Sequence, residues 1–300
     1  MEIRHKRIMI IADIEGSSAC RNYPATTVLG PGWGDACLGM TLDVAAVVRA
    51  LFEGGAEAVY VKDFHRTAHN LFSEHIDPRA KVISGYRPGP VPGLGKVYDA
   101  TGLLMMGMHA PSGSSGFLAH TLTSRISRLE VNGRPMSEAA LFAASVAGEG
   151  VAPLFFSGCP VACDHALGEI PWLGCFSIDK FAPGFDALAW RRRLALKAVE
   201  SLGNRDAQVF NPRGPFEAVI TLREGPRAAE KLSRRWGFDQ KENRIYIRAR
   251  DMAGLYHDLI RLCYLTPLTA RVLPLALPLY NLYGRAALAW VRNQGCSPLK

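Results

Sequence analysis

The chain has no apolar run long enough to cross a bilayer as one helix. Its best stretch, Val272 to Gly284, is interrupted by Pro274 and Pro278 and bounded by Arg271 and Arg285, whereas a spanning helix needs about 20 apolar residues. No cysteine framework is present either: seven cysteines are an odd number without the regular spacing of small secreted domains. Reduced thiols in a cytoplasmic protein are therefore expected. The basic and then apolar start, Met1 to Ile11, runs into Asp13 and Glu15 without a small-residue cleavage site, which predicts a first strand rather than a leader. Internal repeats and low-complexity tracts are lacking. The formal net charge of +8 is not gathered in one place, since the densest runs are only Arg191-Arg192-Arg193 and Arg234-Arg235. Such short runs fit solvated helix faces and make a nucleic-acid partner unexpected.

What is present is an ordinary globular composition, 48% hydrophobic and 21% charged over 300 residues, enough to bury a substantial core. Apolar runs bounded by turn residues alternate with helical-period segments, the pattern of an α/β fold with a central sheet. Arg7 to Ala12, Ala58 to Lys62, Gly102 to Met108 and Ala152 to Phe156 read as strands. Asp35 to Glu53 reads as a helix stopped at Gly54-Gly55. Asn132-Gly133 reads as the tight turn of a hairpin, because both positions accept positive φ. A helix over 188–202 and the polar stretch 203–214 place a boundary near residue 205. The expected organisation is a catalytic α/β domain over 1–205, a smaller C-terminal α/β lobe over 206–270 and an apolar extension over 271–300. That extension is read as a packing or oligomer-contact segment, with contact to a membrane surface as the alternative.

Three predicted strands end in groups that bind metals: Asp13 and Glu15 after the first, His65 after the second, His109 after the third. Ligands collect at the carboxyl ends of strands in α/β sheets. In Asp13-Ile14-Glu15 the extended alternation puts both carboxylates on one side, and Gly16 lets the backbone turn closely. An isolated Asp-x-Glu is ordinarily a solvated strand end; two histidines at equivalent ends favour a metal site. Imidazole suits zinc, and carboxylates can bridge two ions in a hydrolytic centre. His69 and His75 are expected at the surface or behind the ligands. Glu138 opens a predicted helix, where its simplest role is a favourable dipole interaction. His120 follows the glycine-rich loop Pro111 to Gly116, which is read as flexible enough to admit substrate. Cys159 to His165 could hold a metal, but lacks a C-x-x-C pair.

These residues, in this order, resemble the zinc D-aminopeptidases of the DppA type. The shared motifs are Asp13-Ile14-Glu15-Gly16, Lys62-Asp63-Phe64-His65 with Asn70-Leu71, Ile83-Ser84-Gly85 and Gly107-Met108-His109-Ala110. Gly116-Phe117-Leu118-Ala119-His120-Thr121 and Val131-Asn132-Gly133-Arg134-Pro135 leading to Glu138 complete the set. The resemblance implies two zinc ions per chain bridged by Asp13, with Glu15 and His65 completing one site, His109 and Glu138 the other, and His120 as the catalytic residue. It further implies a short peptide substrate, D-amino-acid peptides first, and a homo-oligomer in the form of a ring-shaped decamer. The loop after Gly16 and Cys159-Pro160 depart from the family pattern, and the tail is an extension. Two alternatives stay open: a metal-containing peptide-binding relative without activity, and a metal-dependent amidohydrolase of other specificity. A metallophosphoesterase would carry a later Gly-Asn-His motif, which is absent.

Overall fold

A computed structural model describes residues 3–87, 91 and 93–294. Its elements run β1 (Arg7–Ala12), α1 (Trp33–Glu53), β2 (Ala58–Asp63), β3 (Lys81–Ile83), β4 (Gly102–Met108), β5 (Ile126–Val131), β6 (Arg134–Pro135) and α2 (Glu138–Ser145). They continue as β7 (Ala152–Gly158), α3 (Pro160–Glu169), β8 (Gly174–Ser177), α4 (Ala187–Ser201), β9 (Phe216–Leu222), α5 (Pro226–Trp236), β10 (Asp239–Lys241), β11 (Arg244–Ala249), α6 (Met252–Tyr264) and α7 (Pro267–Asn293). The α/β architecture is the one expected.

The central sheet has six strands in the order β3-β2-β1-β4-β7-β8, all parallel. Strands covered on both faces need apolar side chains on both, and β1 shows why its run is continuous. Ile8 and Ile10 pack with α1, through Val44, Val48 and Leu51, and with Leu194 and Ala198 of α4. Met9 and Ile11 belong to the opposite core, with Leu141 and Phe142 of α2, Ile220 of β9 and Leu255 of α6. The strand order reverses between β1 and β4, so the crevice between their carboxyl ends is where a ligand would be expected.

The second sheet is antiparallel, in the order β10-β11-β9-β5-β6. Its strands come from both sides of residue 206, because β5 pairs with β9 through Leu129 and Ile220. The Asn132-Gly133 turn forms as read, with φ of 51° and 75° and Val131 opposite Arg134.

The tail, read as an apolar packing or oligomer-contact extension, is helical. Although Pro274 and Pro278 interrupt the apolar pattern, α7 runs through both as one helix, started by a Thr266–Thr269 capping box. Gly284, Ala287 and Val291 of its later half are buried, whereas Leu275 and Leu279 of the earlier half are 78% and 68% exposed. Residues 295–300 of the predicted extension lie outside the described residues. No single described helix is long and apolar enough to cross a membrane; α6 and α7, bent by 93°, pass that test only as a pair.

Candidate metal centre

Because β2, β1 and β4 are adjacent, the three strand ends identified from sequence arrive side by side. The turn after β1 and the end of β4 lie backbone against backbone. The Asp13 N–H donates to the Met106 carbonyl at 2.9 Å and the Gly16 N–H to the Gly107 carbonyl at 2.8 Å. A Cβ at Gly16 would lie 2.1 Å from the Met108 oxygen, and one at Gly107 would lie 2.1 Å from the Asp13 oxygen. Glycine at both positions is what permits the approach, and Gly107 also has φ of +68°.

Asp13 is central. Its Oδ1 lies 2.9 Å from His65 Nδ1, and its Oδ2 lies 3.5 Å from His109 Nε2. Glu15 Oε2 lies 3.1 Å from His65 Nδ1 as an ion-pair contact, but this buried oxygen has no hydrogen-bond partner. On the other side, His109 Nε2 is 3.5 Å from Glu138 Oε1, and the His120 ring stacks on His109 with centroids 3.7 Å apart. Asp13, Glu15, His65, His109 and Glu138 are each 7% exposed or less. Their ligand-capable atoms form two groups, Asp13 with Glu15 and His65, and His109 with His120 and Glu138, each within 4.8 Å. His120, read from sequence as separate from the ligands, is thus brought into the second group.

Backbone carbonyls set the imidazoles. A carbonyl only accepts, so the 2.8 Å contact from His65 Nε2 to the Thr26 oxygen leaves Nδ1 facing the carboxylates. His109 Nδ1 contacts the Ala110 oxygen at 3.1 Å and His120 Nδ1 the Leu118 oxygen at 2.8 Å. The Leu122 N–H donates to Glu138 Oε1, and Ser137 caps α2, accepting from the Ala140 N–H at 3.2 Å. Such outer contacts hold metal-binding rings in one tautomer and orientation.

Packing three carboxylates together perturbs every group. Burial and the neighbouring Glu15 push Asp13 up to about 7. Burial disfavours charged His109, but Glu138, Asp13 and Glu15 outweigh it and hold the imidazole at about 10. His65 is likewise raised by Glu15 and Asp13 against burial. His120 goes the other way, lowered by burial and by His109. Buried carboxylates need cations. An orphaned Glu15 oxygen, a mixed oxygen and nitrogen donor set, and Asp13 turned toward both groups fit two divalent ions sharing that carboxylate.

The cluster lies in a cavity of about 500 Å³, also walled by Tyr23, Phe64, Tyr86, Leu118 and Arg223. The 111–116 loop, read as flexible enough to admit substrate, does not line this cavity; Ser112 Oγ donates to the Ile126 oxygen, and Ser114 Oγ to the Pro111 oxygen within the loop. Residues 118–120 and 122–124 line the cavity in its place. His69 is buried against α7 rather than surface-exposed. Asp63 is consumed structurally, accepting from Asn70 Nδ2 at 2.9 Å and the Leu71 N–H at 3.0 Å. Cys163 donates its thiol to the Gly158 carbonyl.

Sequence reasoning missed Lys180. Its buried ammonium donates to the Glu15 and Ser17 carbonyls at 2.6 and 2.8 Å, fixing the turn that presents Glu15. It missed the Thr26 carbonyl as well. Asn70 did stand in a quoted motif, and its Nδ2 donates to the His65 carbonyl at 2.7 Å.

A family model described as D-aminopeptidase matches residues 6–259. The D-aminopeptidase of Bacillus subtilis (strain 168) is 30% identical over 134 residues, 44% of this chain and 48% of that protein. The match thus spans about half the length of that curated relative. Among solved structures, the Zn-dependent D-aminopeptidase DppA from Bacillus subtilis, a self-compartmentalizing protease, superposes with a TM-score of 0.79. It is 23% identical, over 86% of this chain and 97% of that one, which is a likeness of fold.

Proposed function

The chain belongs to the D-aminopeptidase family, and on that premise we propose that it is a dinuclear zinc aminopeptidase hydrolysing short peptides, D-amino-acid peptides first, from a free amino terminus. The observation that carries this reading is the Asp13 carboxylate, buried with one oxygen toward His65 and the other toward His109. It would bridge the ions, with Glu15 and His65 completing one site and His109 and Glu138 the other. When bound, the ions supply Lewis acidity and a water whose pKa is lowered toward neutrality.

The chain's residues account for the rest. Thr26 and Ala110 orient the ligand imidazoles through their carbonyls. His120, with Nδ1 committed to Leu118, keeps the Nε2 lone pair, and burial favours the neutral ring. It can accept a proton from the attacking group and return it to the leaving amine. Phe64 and Leu118 give the cavity apolar walls that limit water.

A cytoplasmic setting and a homo-oligomer belong to the same proposal. No disulfide joins cysteines among the described residues, the structural relative is a self-compartmentalizing protease, and the exposed apolar half of α7 needs cover. Light scattering on the full chain and on one lacking 272–300 tests the assembly; a mass reduced only by the deleted residues removes the tail from it. The activity is tested with purified, metal-analysed protein against short D- and L-peptides, each free and acetylated. Cleavage of free D-peptides alone is expected. Equal turnover of blocked and free peptides would make the chain an amidohydrolase of other specificity, and no turnover a binding relative.

A further inference from the structure

Tyr86 is part of the cavity wall, and it is held from outside the sheet. The Asn281 side chain of α7 accepts the Tyr86 N–H through Oδ1 at 2.9 Å and donates through Nδ2 to the Tyr86 carbonyl at 3.2 Å. One carboxamide thus satisfies both backbone groups of one residue, as a neighbouring strand would. The adjacent Tyr280 ring lies 6.0 Å from that of Tyr86.

The contact requires close approach, and two glycines allow it. A Cβ at Gly85 would sit 2.7 Å from Asn281 Oδ1, and one at Gly284 would sit 2.8 Å from both His69 and Thr67. From the other side, Lys62 Nζ donates to the Gly85 carbonyl and the Gly85 N–H donates to Ala68 at 2.6 Å. The segment carrying Tyr86 is therefore gripped between the loop after β2 and α7. The family match ends at residue 259, so the grip comes from a helix beyond the matched region.

We propose that Asn281 is a positioning residue that sets the Tyr86 wall, so that α7 determines which peptide side chains the cavity accepts. The inference rests on the peptidase reading for its kinetic consequence and not for its geometry. The selected feature is the side chain lying against Tyr86, an aromatic surface suited to apolar residues.

The test uses the full chain and the variants Asn281→Ala, Asn281→Asp and Tyr86→Leu. Readouts are zinc content, amide exchange over residues 84–87, and kcat and KM on short peptides with small and bulky apolar side chains. For Asn281→Ala, faster exchange at Tyr86, undiminished zinc and a KM raised roughly tenfold for bulky peptides, equivalent to about 1.4 kcal/mol, are expected with kcat little changed. Asn281→Asp keeps the acceptor and loses the donor, so it should fall between. Unchanged exchange at Tyr86 in Asn281→Ala would overturn the grip. Unchanged KM with faster exchange, or zinc and kcat falling together, would overturn the positioning role. Should Asn281→Ala fail to fold, Tyr86→Leu decides: a raised KM for bulky peptides supports the wall, and wild-type selectivity removes it. A wild-type chain that cleaves no peptide sinks the proposed function, and exchange at Tyr86 then judges the grip alone.

Discussion

His120→Ala separates proton transfer from metal binding. The substitution removes a ring stacked 3.7 Å from His109 and tethered through Nδ1 to Leu118 at 2.8 Å, while Asp13, Glu15, His65, His109 and Glu138 keep all their mutual contacts. If those five hold the ions, zinc content should stay at about two per chain. Only the group that moves a proton is lost, which costs about 10²- to 10⁴-fold in kcat, or about 2.7 to 5.4 kcal/mol in the barrier. KM should change little, because removing a proton-transfer group affects the transition state more than the ground state. The ring is only partly buried, so its truncation should cost about 1 kcal/mol or less in stability. Steady-state kinetics on a short D-peptide, with zinc measured on the same samples, gives the answer. The alternative is built into the geometry, since His120 lies within 4.8 Å of His109 and Glu138 through its ligand-capable atoms. Zinc falling in parallel with activity would make His120 a ligand or its support, and a near-normal kcat would end its catalytic assignment.

Asp13→Ala should lose both zinc ions and activity together if that carboxylate bridges the two sites as proposed; undiminished occupancy by metal analysis would remove the bridge. Gly107→Ala would place a Cβ 2.1 Å from the Asp13 oxygen at a left-handed position costing about 1 kcal/mol or more in itself, so thermal melting should fall and zinc with it; a wild-type melt would refute the packing argument. Lys180→Met leaves the Glu15 and Ser17 carbonyls without their donor and should destabilise by about 2–4 kcal/mol in urea titration; a change near zero would mean that water takes over both bonds. Zinc must displace the proton that His109 holds up to about 10, so apparent affinity should rise with pH; chelator competition giving equal affinity at about pH 6 and pH 8 would contradict this.

The candidate metal centre was legible because carboxylates and imidazoles stand at recognisable places. Asp13, Glu15, His65 and His109 stand at the ends of apolar runs, where a carboxylate or imidazole interrupts an otherwise buried pattern. Adjacency of those ends was not written in any one segment; it follows from the parallel order β2-β1-β4. The contacts behind the ligands left no trace, because the Thr26, Ala110 and Leu118 groups are carbonyls that every residue carries. Lys180 reads like any surface lysine until the turn at Glu15 folds over it.

The helical state of α7 was not legible for a local reason. Proline inside a helix ordinarily costs about 3 kcal/mol, but Pro274 and Pro278 fall in the exposed half, where water can satisfy the carbonyls they leave free. The docking that offsets this cost lies further on, at Gly284, Ala287 and Val291, with Asn281 at Tyr86. Local propensity therefore weighed the exposed half, while tertiary contact decided the helix. The same division runs through the cavity. The chemistry proposed for it rests on strand ends within the family match, whereas the wall at Tyr86 is held by a helix beyond residue 259. Two chains sharing every metal ligand can thus differ in the side chains they admit, and comparing ligand sets alone would not show it.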